Sequence, residues 1–355
     1  MDYLKKEAFA PDFRNIVKTA NNQWVDRIPL YEHGIGDGIM QEIAGIRPQE
    51  KMWRGSLKEQ EEGCREFWEF WRGMGYDTAS MEFQITGILI GGGALGAHKE
   101  GCIKTREDFE KYPWEELPVR FFETYRSLME LFEKTRPQGM KAIGGVGNGI
   151  FECVQDLVGY MDLCYIKADD EELYEDLFKK MGEIHFQIWN TFLEKYADAF
   201  CLMRFGDDLG FNSSTLISHE DIRNLVLPGY RRIVDRVHQA GKPFLLHSCG
   251  NLFEIFDELI TATGIDAKHS NEDQIGHFSL WVERYGDRIA NFGGIDTDVV
   301  CRASKEEIRD YVLDCLEKVK GHGGIAFGSG NSIPDYVSVD GYMTMVDTVR
   351  TWRGE

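Results

Sequence analysis

Short apolar runs alternate with longer amphipathic stretches along most of the chain. The runs at 27–31, 78–82, 141–145, 200–204, 243–247, 265–269, 288–292 and 324–327 read as strands. Each is followed by a helical pattern. Ser56 and Glu59 form a capping box for a helix that gathers Cys64, Phe67, Trp68 and Trp71 on one side and stops at Gly73 and Gly75. Helices are expected near 105–111, 119–135, 151–165 and 170–196, then from Ser218 with Asp221 to Gly241, from Ser304 with Glu307 to Gly321, and from about Asp340. Eight strand-helix units predict an α/β fold, a (β/α)8 TIM barrel. The strands lie far apart in the first half and close together in the second, so long early loops are expected. One domain over 1–355 follows, with an N-terminal arm at 1–26, the barrel at 27–340 and a terminal helix at 341–355.

Composition narrows the partners. Sixty acidic against forty basic residues give a formal net charge of −20. That charge repels phosphate backbones and anionic lipid, which argues against nucleic acid and membrane surfaces. Eight cysteines are scattered without a C-x-x-C pair, the usage of a reducing compartment. The start, Met1-Asp-Tyr-Leu-Lys-Lys-Glu, lacks the apolar core of a signal peptide, and no apolar run is long enough to span a bilayer. A cytoplasmic protein is expected.

In such barrels the chemistry sits at the C-terminal strand ends. The candidates there are Glu32 and His33, Glu82, Asn148, Asp207 and Asp208, His247 and Cys249, His269 to Asp273, Asp296, and Ser329 with Asn331. His247 and Cys249 stand two apart at the end of Phe244-Leu-Leu, so both point the same way and suit one metal ion. A buried histidine beside an inert cysteine is the structural alternative. Two adjacent carboxylates at 207 and 208 suit general acid work, with Asp207 preferred, although one of them would also serve to cap the backbone near Ser213 and Thr215. Asp296 reads equally as a rim carboxylate or a helix N-cap. Gly91-Gly-Gly-Ala-Leu-Gly96 matches a dinucleotide pattern but lacks the strand-turn-helix context, so the 87–101 insert is expected to be a flexible lid. Trp53 and Met52 would join it in covering an aromatic ligand.

The phrases His247-Ser-Cys249-Gly-Asn, Gly264-Ile-Asp, Gly293-Gly-Ile-Asp296 and Gly328-Ser-Gly-Asn331-Ser-Ile-Pro resemble the uroporphyrinogen decarboxylase superfamily of TIM barrels. Its decarboxylases hold a polycarboxylate with arginines after the first strand, where this chain has Tyr31-Glu-His-Gly-Ile-Gly. Its cobalamin-dependent methyltransferases share the His-x-Cys pair, which holds zinc together with a later cysteine. That later position is Ser329 here, so the resemblance implies a zinc set of His247 and Cys249 completed by Glu82 or an aspartate. The phrase Gly206-Asp-Asp-Leu-Gly-Phe-Asn-Ser-Ser adds a likeness to enzymes that demethylate methoxylated aromatics.

The implied reaction moves a methyl group from an aryl methyl ether to cob(I)alamin on a separate corrinoid protein. Asp207, Asp208 and His247 would carry the chemistry, with Glu32, His33, Asn148, Asp296 and Asn331 around the small aromatic donor. The chain has no corrinoid module of its own: Asp235-Arg-Val-His238-Gln-Ala-Gly241 is one residue too long between Asp and His. The alternatives are a decarboxylase and a non-catalytic barrel that binds a corrinoid protein or an aromatic compound.

Overall fold

Seven of the eight expected strands form, and they lie side by side in chain order. In the computed structural model, which describes residues 9–97 and 99–355, these are β1 (Thr78–Gln84), β2 (Lys141–Gly147), β3 (Phe200–Gly206), β4 (Phe244–His247), β5 (Ala267–His269), β6 (Ala290–Ile295) and β7 (Ile325–Ser329). Every neighbouring pair is parallel. The leader reading at Met1–Glu7 and His98 of the insert fall outside the described residues.

The expected first strand, 27–31, is the exception. It contributes a single parallel bridge, Leu30 to Phe327 of β7, in which Tyr31 N donates to Phe327 O at 3.0 Å and Phe327 N to Pro29 O at 2.8 Å. Pro29, whose carbonyl faces β7, has no amide hydrogen to carry that ladder further. Toward β1 the described contact is a side-chain one, from Ser80 Oγ to Glu32 O.

The sheet is buried on both faces, as parallel sheets covered by crossover helices are. One face packs against the helices in the larger core. The other encloses Tyr31, Ile143, Leu202, Leu245, Phe292 and Ala326, and it is joined by Ile16 and Ala20 of the helix Arg14–Ala20. The N-terminal arm expected at 1–26 is thus in part a helical plug. Phe13 N donates to Gly139 O and Asp12 N to Asp77 Oδ1, so this plug lies where β1 and β2 begin.

Local signals mostly acted as expected. The Ser56–Glu59 and Ser304–Glu307 boxes both form, and Ser218 accepts from Asp221 N. The helix expected over 151–165 breaks at Gly159, which sits at φ 85° between Ile150–Val158 and Tyr160–Asp169. Part of the insert, Gly93 to Leu95, is tied to the helix Ile150–Val158. Buried Asp156 accepts from Gly93 N at 2.9 Å and Leu95 N at 3.2 Å.

Candidate metal centre at the strand ends

Parallel pairing sets Gly206, His247 and His269 level with one another at the ends of β3, β4 and β5. A Cβ at Gly206 would come within 3.3 Å of the His247 ring, so glycine there lets the imidazole lie across the strand end. His33 stacks on His247 from the other side, ring centroids 3.9 Å apart.

Hydrogen bonding fixes the tautomers. His269 Nε2 lies 3.1 Å from the carbonyl of Ser329, which can only accept, so Nε2 carries the hydrogen. Burial and the facing His247 hold His269 neutral, far below the usual histidine range, and its Nδ1 is therefore an acceptor. His247 Nδ1 lies 2.7 Å from it and must donate. The His247 Nε2 lone pair is left free.

That lone pair faces two further donors. Cys249 Sγ is 3.5 Å from His247 Nε2, and Asp208 Oδ1 is 3.7 Å from it. Cys249 N donates to the same Asp208 oxygen at 2.9 Å, while Asn331 Nδ2 at 3.4 Å and Ser270 Oγ at 3.5 Å donate to the sulfur. Imidazole, thiolate and carboxylate whose ligand atoms lie within 4.8 Å of one another fit a zinc ion. Burial drives His247 down to about 4, and burial with Asp208 drives the Cys249 thiol up. A divalent cation reverses the second effect by holding the thiolate directly. A second grouping, His33 with His247 and His269, meets the same distance test, but both ring nitrogens of His269 are already engaged, Nδ1 by His247 and Nε2 by the Ser329 carbonyl.

The remaining predicted residues divide between this centre and its surroundings. Ser329, expected at the position of a zinc cysteine, pairs with buried Glu32 instead. Ser329 N donates to Glu32 Oε1 at 3.1 Å and Ser329 Oγ to Asn331 O at 2.9 Å. Ser329 Oγ also reaches Glu32 Oε2 as a donor, while burial pushes the Glu32 carboxyl up to about 8.

Glu82 belongs to neither metal grouping. Its Oε1 accepts from Arg204 Nε at 2.6 Å, and Arg204 also donates to Tyr31 Oη at 2.8 Å. Asp207, fully buried, accepts from Phe151 N, Glu152 N and Tyr230 Oη at 2.9, 2.8 and 2.6 Å; it caps the helix Ile150–Val158, not the loop at Ser213. Asn148 accepts from Thr86 Oγ1 at 2.8 Å and donates to Glu152 at 2.9 Å. Asp296 takes the N-cap option, accepting from Asp298 N at 2.7 Å.

A cavity of about 440 Å³ opens beside the centre, lined by His33, Gln49, Trp53, Glu82, Gln84 and Arg204. Trp53 is half-exposed at its edge, whereas Met52 is buried in the core. Arg204 was missed in the sequence, although a charged residue at an inward position of a strand is a signal for it. Lys268 was missed too. It is buried with Nζ 3.3 Å from the Trp281 ring centre, and burial lowers it to about 7.

Comparison with known proteins gives the chain a family. Against solved structures it is similar to a methyltransferase from Methanosarcina mazei, with a TM-score of 0.68 at 15 % identity over 95 % of this chain and 98 % of that one. It also aligns with a B12-independent methionine synthase from Shewanella sp. W3-18-1, TM-score 0.45 at 14 % identity, over 64 % of this chain and 67 % of that one. No protein of curated function matches by sequence. The family match itself runs over residues 13–352, from the helical plug through every strand to the last helix, and by it the chain belongs to the uroporphyrinogen decarboxylase (URO-D) family.

Proposed function

We propose that this protein transfers a methyl group from an aryl methyl ether to cob(I)alamin held by a separate corrinoid protein. The observation that carries the reading is the free Nε2 of His247 beside Cys249 and Asp208, next to a cavity roomy enough for a substituted ring. His247, Cys249 and Asp208 would hold zinc. When bound, the metal supplies Lewis acidity to an ether oxygen, which is otherwise a poor leaving group.

The protein's own groups divide the remaining work. The His33 face and the Trp53 edge offer apolar surface to a ring. Glu32, raised to about 8 by burial, holds Ser329 through its amide and hydroxyl, and Ser329 in turn reaches Asn331 behind the sulfur. Asp208, open to solvent on one side, would complete the ligand set at the mouth of the cavity.

Decarboxylation of a polycarboxylate fits less well. Arg204 is the one arginine lining this cavity, and it is already committed to Glu82 and Tyr31. The fold neighbour from Methanosarcina mazei is named a methyltransferase, in keeping with the reading. We take the Leu30 segment as the eighth stave of the barrel and the cytoplasm as its setting, which eight free cysteines suit. No described helix is long and apolar enough to cross a membrane.

The test is elemental analysis joined to an anaerobic assay that follows loss of the cob(I)alamin spectrum with a methoxylated aromatic donor. About one zinc per chain is expected, lost in Cys249→Ser and Asp208→Ala and kept in His33→Phe. Transfer should vanish in His247→Ala. Full activity in that variant rejects the assignment.

A further inference from the structure

A second hollow of about 290 Å³ lies at the same rim, walled by the loops that follow β5, β6 and β7. Ser332 and Pro334 line both hollows, and Asn331, which donates to Cys249 Sγ, lines this one. Glu272, Asp296 and Asp298 line it as well, with no lysine, arginine or histidine among its walls. Asp296 is engaged by the amides of Asp273 and Asp298, and Asp298 sits 3.6 Å from Arg302. The Glu272 carboxylate has no hydrogen-bond donor or ion pair among the described residues, although its backbone carbonyl accepts from Ile275 N and Gly276 N, and burial together with Asp296 pushes its carboxyl upward.

The acidic wall is joined by an independent feature. Asn271 is only 5 % exposed, and neither its carboxamide oxygen nor its nitrogen has a partner. Its backbone is held by Gly330, whose carbonyl accepts from Asn271 N at 2.9 Å. Its oxygen lies over Gly293, where a Cβ would come within 2.7 Å. A buried amide with donor and acceptor both unmet is destabilising until something pairs with it. A ligand carrying a hydroxyl or an ammonium group meets that need, and an ammonium group also meets Glu272.

We infer that this hollow is the subsite for the non-transferred end of the methyl donor, and that it selects a donor bearing an ammonium or hydroxyl group over one bearing a carboxylate. The inference rests on the proposed methyl transfer for the identity of the ligand. Its chemistry rests on Asn271 and Glu272.

Three probes share one methoxylated ring and differ in the charge of one substituent: vanillylamine, vanillyl alcohol and vanillate. Calorimetric titration of the zinc-loaded protein should give vanillylamine at least about tenfold tighter binding than vanillate, a difference on the scale of one buried charge contact. Glu272→Gln should shrink that ratio to about threefold or less. Asn271→Ala should weaken the amine and the alcohol about tenfold each, with circular dichroism confirming the fold. Glu306→Gln, an exposed change on the helix Lys305–Lys318, controls for net charge and should leave the ratio where it was. Equal or tighter binding of vanillate, an unchanged ratio in Glu272→Gln, or no binding of any probe overturns the subsite. Methyl transfer is read separately. Its absence with the charge preference intact overturns the proposed reaction alone, and transfer from vanillate as efficient as from vanillylamine overturns the subsite alone.

Discussion

His269 Nε2 donates to the carbonyl of Ser329 at 3.1 Å, and this one bond orients the whole histidine relay. It makes His269 Nδ1 the acceptor for His247, and so decides which nitrogen of His247 is left for a metal. Outer partners of this kind are worth roughly 10–100-fold in metal affinity. His269→Phe should therefore bind zinc about 10–100-fold more weakly than wild type in a chelator competition, while keeping the cysteine and carboxylate ligands. Unchanged affinity would mean that the Cys249 side holds the metal without help from the relay.

Arg204 and Glu82 form an ion pair that is almost wholly out of water, their side chains 2 % and 7 % exposed. Breaking such a pair from one side leaves a buried charge behind and costs about 3–5 kcal/mol. Arg204→Met should lose stability on that scale in urea unfolding, and Arg204→Met with Glu82→Leu should recover much of it. Additive losses in the double variant would show that the two charges are stabilised separately, Arg204 by Tyr31 and Glu82 by water in the cavity.

Glu32 gives a pH signature of defined sign. Its carboxyl is raised from 4.5 to about 8 by burial, so between those values the folded chain holds a proton that the unfolded chain has released. The stabilisation is complete below about pH 4.5 and is lost as pH rises through about 8, with a slope of up to about 1.4 kcal/mol per pH unit. Glu32→Gln keeps a donor for Ser329 Oγ and an acceptor for Ser329 N, so it should flatten this part of the profile. Parallel urea midpoints for the two proteins from about pH 5 to about pH 9 would show that Glu32 is ionised in the fold.

The parts of this architecture carried by local pattern were legible in the sequence. Apolar runs bounded by turns gave seven strands, and Ser-x-x-Glu phrases gave two capping boxes that form. Pairing between distant strands was not legible. Pro29 ended the first strand as a single bridge because the ladder needed an amide that proline lacks. The Asp207–Asp208 choice turned on which residue met the amides of Phe151 and Glu152, contacts more than fifty positions away in sequence. That His247 and Cys249 lie close together was readable because both belong to one strand end, whereas the approach of Asp208 and His269 to them comes from neighbouring strands held in register. The same limit hid Arg204, whose partners lie on β1 and at Tyr31.

His185 supplies the opposite pH dependence from outside the site. It lies in the helix Glu171–Lys195 with its ring 6.5 Å from that of Phe205, fully buried, and neither ring nitrogen has a partner. Burial lowers it from 6.5 to about 3. An unfolded chain takes up a proton in that range and the folded chain does not, so the stability present above pH 6.5 erodes as pH falls toward about 3. His185→Phe keeps a flat ring while removing two unmet polar atoms, each worth about 1–3 kcal/mol when left unpaired. The variant should unfold at higher urea than wild type at pH about 5, with the difference narrowing above about pH 7 to the gain from removing the polar atoms alone. A pH-independent difference would show that His185 takes up its proton as readily in the folded chain as in the unfolded one, and that the substitution acts only through packing and the lost polar atoms.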